Sequence, residues 1–339
     1  MYPIPHRSKT QRHLLAVGLL MILILCISSF AQASDPLPSW NNGLVKTKII
    51  QFVCDVTNTN SENYVAPKER VAVFDNDGTL WVEQPISTQT VFTYDQIKKL
   101  APQHPEWKTI QPFKAVLEGN MSAVSSFGTK GFIKMIVTTH SGMTATEFTN
   151  EVNEWISKAK HPRFKCLYTN LVYQPQLELL TFLRANGFKT YIISGSSMAF
   201  MRPWTEKAYG IPPEQVVGSS VVTEFRIVDN KPVIIRLPKN NFTDNRAGKP
   251  IGIYQHIGRR PIFAFGNADA DMQMIQYTKA GKGKRLGLFI HHTDAKREYA
   301  YDRKSNIGRL DKVLDMASSN DWIIVDMKKD WGQIFPTPK

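Results

Sequence analysis

The stretch Val71-Ala72-Val73-Phe74-Asp75-Asn76-Asp77-Gly78-Thr79-Leu80 decides the fold. Four apolar residues in a row, rich in β formers, read as a strand buried on both faces, as in a parallel sheet. In open parallel sheets ligands bind beyond the carboxyl ends of the strands, so the Asp-x-Asp-Gly-Thr that follows stands at the mouth of a site. Side chains two apart on an extended backbone share a face, so Asp75 and Asp77 point together while Asn76 points away. Gly78 lets the chain turn sharply. Two carboxylates held this close repel unless a cation or a proton lies between them. Hard oxygen ligands favour Mg²⁺.

The stretch resembles motif I of the haloacid dehalogenase (HAD) superfamily in its phosphatase form. The resemblance implies that Asp75 is the nucleophile and Asp77 the general acid/base. A plain surface turn, the common setting of Asp-Gly, would not need a buried strand in front of it.

Beyond motif I the chain turns helical. Leu80–Pro85 resembles the helical turn and flap that HAD proteins place after motif I. Gln89–Leu100, Trp107–Leu117 and Gly131–Thr138 read mostly as helix. Thr144-Ala145-Thr146-Glu147 is a capping box, and the helix it opens carries Phe148, Val152, Trp155 and Ile156 at helical spacing. This insertion resembles the small helical cap of phosphoserine-phosphatase-like members, which closes over the site and excludes water. In those phosphatases a Glu shortly after motif I holds the substrate amine. Glu83 and Gln84 are the candidates here, and by spacing the match is Gln84, a departure that speaks against phosphoserine as substrate. His140, in the turn before the capped helix, is a candidate for substrate contact.

The core resumes near Tyr173. A helix through Leu177, Leu180 and Leu183 leads to a second buried strand, Lys189–Ile193, ending in Ser194-Gly195-Ser196. This resembles motif II, so Ser194 and Gly195 are expected to bind phosphoryl oxygens. Arg202, in the next helix, is a further candidate for substrate contact. Val221–Val228 and Val233–Leu237 alternate like a hairpin around Asp229-Asn230. Motif III is a single cation. Lys249 is favoured over Lys239, because Gly248-Lys249-Pro250 starts a helix whereas Lys239 sits in a polar loop. Pro261–Phe265 is the next strand, followed by Gly266-Asn267-Ala268-Asp269-Ala270-Asp271, which resembles motif IV with Asn267 in place of its first acid. The resemblance implies Asp75, Asp77, Asn267 and Asp271 as the metal ligands, with Asp269 able to share the load. An EF-hand loop is excluded, since Met272 stands at its obligatory Gly and Thr278 at its bidentate Glu. His291 and His292 close a further strand, Arg285–Ile290, and are expected at the same sheet edge. A helix around Ile307–Ala317 and a strand Trp322–Val325 end the chain.

Residues 1–33 read as a secretory signal peptide: Arg7, Lys9 and Arg12, an apolar run from Leu14 to Phe30, then Ala31-Gln32-Ala33 as the cleavage site. Export to the periplasm or the outside is expected, with membrane association only if the segment stays uncleaved. Leu25 before Cys26 is too large for a lipoprotein signal. Residues 34–66 read as an arm leading to the first strand, with a short helix around Lys46–Val56. Cys54 and Cys166 remain after cleavage, and an oxidising compartment would permit, without requiring, a disulfide between them. The net charge of +13 comes from scattered basic residues without a nucleic-acid motif.

Together the motifs predict an α/β protein, a doubly wound parallel sheet with a small helical cap. The core spans 67–85 and 172–339, and the cap 86–171. The expected activity is Mg²⁺-dependent hydrolysis of a small phosphorylated substrate through an aspartyl-phosphate. Phosphotransfer to another acceptor and a catalytically silent binding protein are the alternatives. Nothing in the sequence fixes the oligomeric state.

Overall fold

The structure, a computed structural model, describes residues 35–337. The expected signal segment lies outside the described residues. Among those described, no helix is long and apolar enough to cross a membrane.

Helix α1 (Leu44–Thr57) precedes strand β1 (Val71–Phe74). Helices α2 (Thr88–Leu100), α3 (Phe113–Leu117), α4 (Met121–Ser126), α5 (Gly128–Thr139) and α6 (Ala145–Ile156) follow. The chain then alternates through α7 (Gln174–Ala185), β2 (Lys189–Ser197), α8 (Met198–Tyr209), β3 (Val216–Val228), β4 (Lys231–Phe242), α9 (Gly248–His256), β5 (Phe263–Gly266), α10 (Met272–Lys279) and β6 (Leu286–Thr293). It ends with β7 (Ala300–Tyr301), α11 (Lys312–Met316), β8 (Ile323–Asp326) and α12 (Met327–Asp330).

The strands form one sheet in the order β4-β3-β2-β1-β5-β6-β7, with β8 also paired to β6. β1 is central and parallel to both neighbours, its Phe74 standing opposite Ile192 and Phe265. The sheet is parallel except at β4 and β7, which pair antiparallel. The alternation of side chains explains why these strands are apolar throughout. Ala72, Phe74, Ile192, Phe263, Phe265, Leu288 and Ile290 enter one core layer. Val71, Val73, Ile193, Ala264 and Phe289 enter the other. Both faces are covered by helices, as a parallel sheet requires.

Local signals agree with these elements. The capping box is present at α6: Thr144 accepts from the Glu147 amide at 3.1 Å, and the Glu147 carboxylate accepts from the Thr144 amide at 2.7 Å. The hairpin turn at Asp229 and Asn230 takes positive φ at both residues, the type I′ arrangement that suits a two-residue hairpin.

Three expectations are corrected. The helix expected around Lys46–Val56 forms as α1, but the segment is more than an arm: α1 buries Ile49, Phe52, Val53 and Val56, and Phe52 packs against Phe188 and Phe263 of the main core. Trp107–Leu117 is not one helix but a short 3₁₀ turn followed by α3. The helix expected from Ile307 begins only at Lys312, because Asp269 accepts hydrogen bonds from the amides of Asp311, Lys312 and Val313 and so fixes its start. Cys54 and Cys166 stand as free thiols.

The helices after β1 divide their packing. Phe92 of α2 and Phe148, Val152 and Ile156 of α6 belong to the main core. Ile97, Trp107, Phe113, Val116, Val124 and Met135 form a separate small core of their own. If α1 is an integral layer, Phe52→Ala should cost about 3–5 kcal/mol in chemical denaturation. A loss under about 1 kcal/mol, the level of an ordinary surface substitution, would show that α1 is peripheral.

Candidate active site

β1, β2 and β5 end at one edge, where Asp75, Ser194 and Asn267 follow their last core residues. Lys249 reaches this edge from the first turn of α9. The backbone there is tight: a Cβ on Gly248 would lie 2.2 Å from the Thr243 carbonyl oxygen.

Lys249 is 2% exposed. Its ammonium donates to Asp75 Oδ1 at 2.6 Å, Asp271 Oδ1 at 2.5 Å and the Ile193 carbonyl at 2.9 Å. All three of its hydrogens are thereby used. Burial alone would lower its pKa, but the charges of Asp271 and Asp75 outweigh that and hold it raised. The Asp75 carboxyl is pushed up to about 8 by burial and by Asp271, with Lys249 opposing.

Asp271 accepts the Asn267 and Ala268 amides on Oδ2, at 2.9 and 3.0 Å. With Oδ1 on Lys249, both its oxygens are taken. Asp271, expected as a metal ligand, anchors Lys249. Asp269, capping α11, is likewise occupied elsewhere.

Asp77 Oδ2 accepts from the Ser196 hydroxyl at 2.6 Å, and Oδ1 from the Trp81 indole at 3.0 Å. Burial raises its pKa against both hydrogen bonds. Asn76 points the other way, its Oδ1 accepting from the Tyr209 hydroxyl. Ser194 is buried and its Oγ accepts from the Ser196 amide at 3.2 Å.

Asn267 Oδ1 accepts from the Thr79 hydroxyl at 3.1 Å, and its Nδ2 donates to Glu83 Oε1 at 2.6 Å. Tyr301 donates to the same Glu83 oxygen at 2.9 Å. Burial holds the Glu83 carboxyl well above its ordinary range, with the Tyr301 hydrogen bond opposing. Gly78, at φ 74°, is where no side chain fits: a Cβ there would stand 2.1 Å from Asn267 Nδ2 and 2.3 Å from Glu83 Oε1.

These groups share a cavity of about 630 Å³. Asp75, Asp77, Glu83, Ser194, Gly195, Ser196, Lys249, Asn267 and Asp271 line it. Its far wall carries Tyr94, Val124, Phe132, Ile133 and Ile136 of α2, α4 and α5. Asp75, Asp77, Glu83, Asp271 and Lys249 are the ionisable acids and bases of the lining, and the one ammonium contacts Asp75 and Asp271 among the four acids.

Sequence reasoning missed Ser196, which follows motif II and holds Asp77. Of the two candidates after motif I, Glu83 and Gln84, the structure brings Glu83 to the cavity. Gln84 donates to Ser305 Oγ and the Ile307 carbonyl and does not line the cavity, whereas Glu83 does. His140 is not at the site: it is buried between Phe92 and Phe148, its Nδ1 on the Ile136 carbonyl. Arg202 points its guanidinium to the Val216 carbonyl. His292 braces the site from behind, with Nε2 2.9 Å from the Gly78 carbonyl and Nδ1 3.2 Å from Glu298 Oε2. His291 pairs with Asp302.

The family model of haloacid dehalogenase-like hydrolases matches residues 72–276, from β1 into α10. The chain belongs to this family. No curated protein matches it. A solved protein of Anaerococcus prevotii, functionally unassigned, is 16% identical over 83% of this chain and 91% of its own, with a TM-score of 0.52. One from Bordetella pertussis, also of unknown function, is 12% identical over 76% and 99%, with a TM-score of 0.47. A probable phosphoserine phosphatase of Vibrio cholerae is 16% identical over 80% and 68%, with a TM-score of 0.37.

Lys249→Met should leave Asp75 and Asp271 facing each other without their cation. The expected loss in denaturant unfolding at neutral pH is about 3–5 kcal/mol, shrinking in acid as the carboxylates protonate. An unchanged stability would remove Lys249 from its central place. His140 gives an independent pH signature, because burial lowers its pKa from 6.5 to about 3. As pH falls below 6.5 the unfolded chain takes up the proton first, so stability falls with pH down to about 3. Between pH 6.5 and 5 this residue should account for about 2 kcal/mol, absent in His140→Gln. Identical pH slopes for the two proteins would contradict that assignment.

Proposed function

We propose that this chain is an exported, Mg²⁺-dependent phosphomonoesterase that works through a phosphorylated Asp75. The observation that carries the reading is the 2.6 Å contact of a buried lysine on Asp75, with a second buried aspartate two residues on in the same cavity.

Asp75 attacks phosphorus through a carboxylate oxygen, and the phosphorus–oxygen bond to the leaving alcohol breaks. Asp77 gives its proton to the departing oxygen. It then takes a proton from the water that attacks the phosphoryl group, which releases phosphate and restores Asp75. A raised pKa suits Asp77 to carry that proton, and Ser196 and Trp81 hold it in position. The Ser194 hydroxyl and the amides after it receive the phosphoryl oxygens, and the nearby Lys249 charge offsets theirs, where fixed dipoles and charge lower the barrier most.

The donor set fits a divalent cation. The four acids of the lining have one ammonium among them, on Asp75 and Asp271, and the Asn267 carbonyl adds a neutral oxygen. Among the described residues no three acids, histidines or cysteines form a ready cage, so carboxylates plus neutral oxygens would hold the ion. Asp75, Asp77 and Asn267 are the residues to hold it, and when bound it would offset charge on the phosphoryl oxygens.

The helical segment over the cavity is read as a cap. Its wall, together with the rest of the lining away from the acids, carries no charged side chain. The leaving group is therefore uncharged and partly apolar. A free amino acid would place an ammonium and a carboxylate against that wall without partners, at considerable cost. The basic start, apolar run and Ala31-Gln32-Ala33 support export.

Purified protein should hydrolyse a phosphate monoester of an uncharged aryl alcohol with Mg²⁺ and lose this activity in EDTA. Asp75→Asn should lower the rate by roughly a thousandfold or more while the protein stays folded. Undiminished hydrolysis by Asp75→Asn would overturn the reading. Phosphate appearing on an added alcohol rather than in water would turn it towards phosphotransfer.

A further inference from the structure

At position 267 the family motif expects an acid, and this chain has Asn267. We infer that Glu83 fixes the Asn267 amide with its carbonyl oxygen toward the cation site, and that a bound cation, which favours the charged form of a nearby carboxyl, would make Glu83 the anion behind that ligand. This rests on the cation site proposed above.

Three observations carry the inference. Glu83 is 5% exposed, so its carboxyl has been withdrawn from water, and such a group is kept only where a partner compensates it. Its Oε1 is fixed by two donors, Asn267 Nδ2 at 2.6 Å and the Tyr301 hydroxyl at 2.9 Å. Its Oε2 has no hydrogen-bond partner among the described residues, and the residue lines the cavity that holds Asp75 and Asp77. The close packing is deliberate on both sides: a Cβ on Gly78 or on Gly308 would strike Glu83 Oε1, at 2.3 and 1.9 Å.

The hydrogen bonds also fix which way the amide faces. With Nδ2 toward Glu83, Asn267 must present its carbonyl oxygen to Thr79 and the site. The reversed amide would set an oxygen against the Glu83 carboxylate. A carboxylate accepting from an amide N–H draws electron density toward the carbonyl oxygen, which makes that oxygen a better cation ligand. A neutral ligand backed by a buried anion thus does the work of an anionic one. Glu83 is on this view a positioning residue, since it touches Asn267 rather than the ion.

The test is Mg²⁺ binding measured by calorimetry without substrate, beside the thermal midpoint of the protein without metal. Glu83→Gln should weaken Mg²⁺ about 10- to 100-fold, as loss of a partner behind a ligand does. The decisive variant is the double exchange Glu83→Gln with Asn267→Asp. It reverses the hydrogen bond between the two side chains, keeps the net charge and moves the carboxylate onto the ligand. Tyr301 can accept where it now donates. Mg²⁺ affinity should return to within about threefold of the starting protein, under 1 kcal/mol. A purely structural Glu83 would give no such recovery. The inference is overturned if Glu83→Gln binds Mg²⁺ as tightly as the parent, or if the folded double variant stays weak. Should Glu83→Gln not fold, the double variant decides alone. A parent protein that binds no Mg²⁺ at millimolar concentration overturns it as well, whether or not an ester is cleaved. Binding that follows the expected pattern without any ester cleavage would sink the phosphatase reading alone.

Discussion

A lysine ammonium shut away from water between two carboxylates is the constraint on which this site depends. A buried charge of this kind is costly unless its hydrogen bonds are all made, and Lys249 makes three, to Asp75, Asp271 and the Ile193 carbonyl. Each partner comes from a different strand end: Asp75 follows β1, Ile193 lies in β2, and Asp271 follows β5. One side chain therefore ties three segments far apart in sequence into one geometry. It also sets the electrostatics, because it stands on Asp75 and leaves Asp77 and Glu83 without a direct lysine contact.

The sheet makes this arrangement possible. Its strands are buried on both faces by two layers of helices, so they cannot slip by one residue without turning apolar side chains against the wrong layer. Their ends are correspondingly fixed, and so are the loops that begin there. Behind the Asp75–Gly78 turn, His292 on the Gly78 carbonyl and Thr79 on Asn267 link the first and fifth strands' loops to the sixth strand. Rigid support of this sort is what holds reacting groups in place. The far wall of the cavity has another character: it is built from α2, α4 and α5, of which α4 and α5 belong to the small separate core.

Much of this was legible in the sequence because it is local. Continuous apolar runs gave β1, β2, β5 and β6, and the order of the motifs placed Asp75, Asp77, Ser194 and Lys249 at one edge. The helix start at Gly248 separated Lys249 from Lys239 on chemistry that needs only a few neighbouring residues. What escaped was set by contacts between distant positions. Gln84 fits the spacing of a substrate ligand, yet Ser305 and Ile307 claim its amide. The part Asp271 plays for Lys249 and for two backbone amides joins residues that local sequence does not connect. The helix before β1 was legible but its place in the core was not, since Phe52 of α1 meets Phe188 and Phe263, each more than a hundred positions away. His140, a candidate for substrate contact in a turn, proved to be buried against the rings of Phe92 and Phe148.

The central claim is that Asp75 is the atom donor to phosphorus, and labelling tests it most directly. Protein turning over a ³²P-labelled aryl phosphate would be quenched in acid and cut into peptides. Label on the peptide from β1, assigned to Asp75 and released by hydroxylamine as an acyl phosphate, is the expected result. Label on a histidine or serine, or none in protein that is turning over substrate, would contradict it.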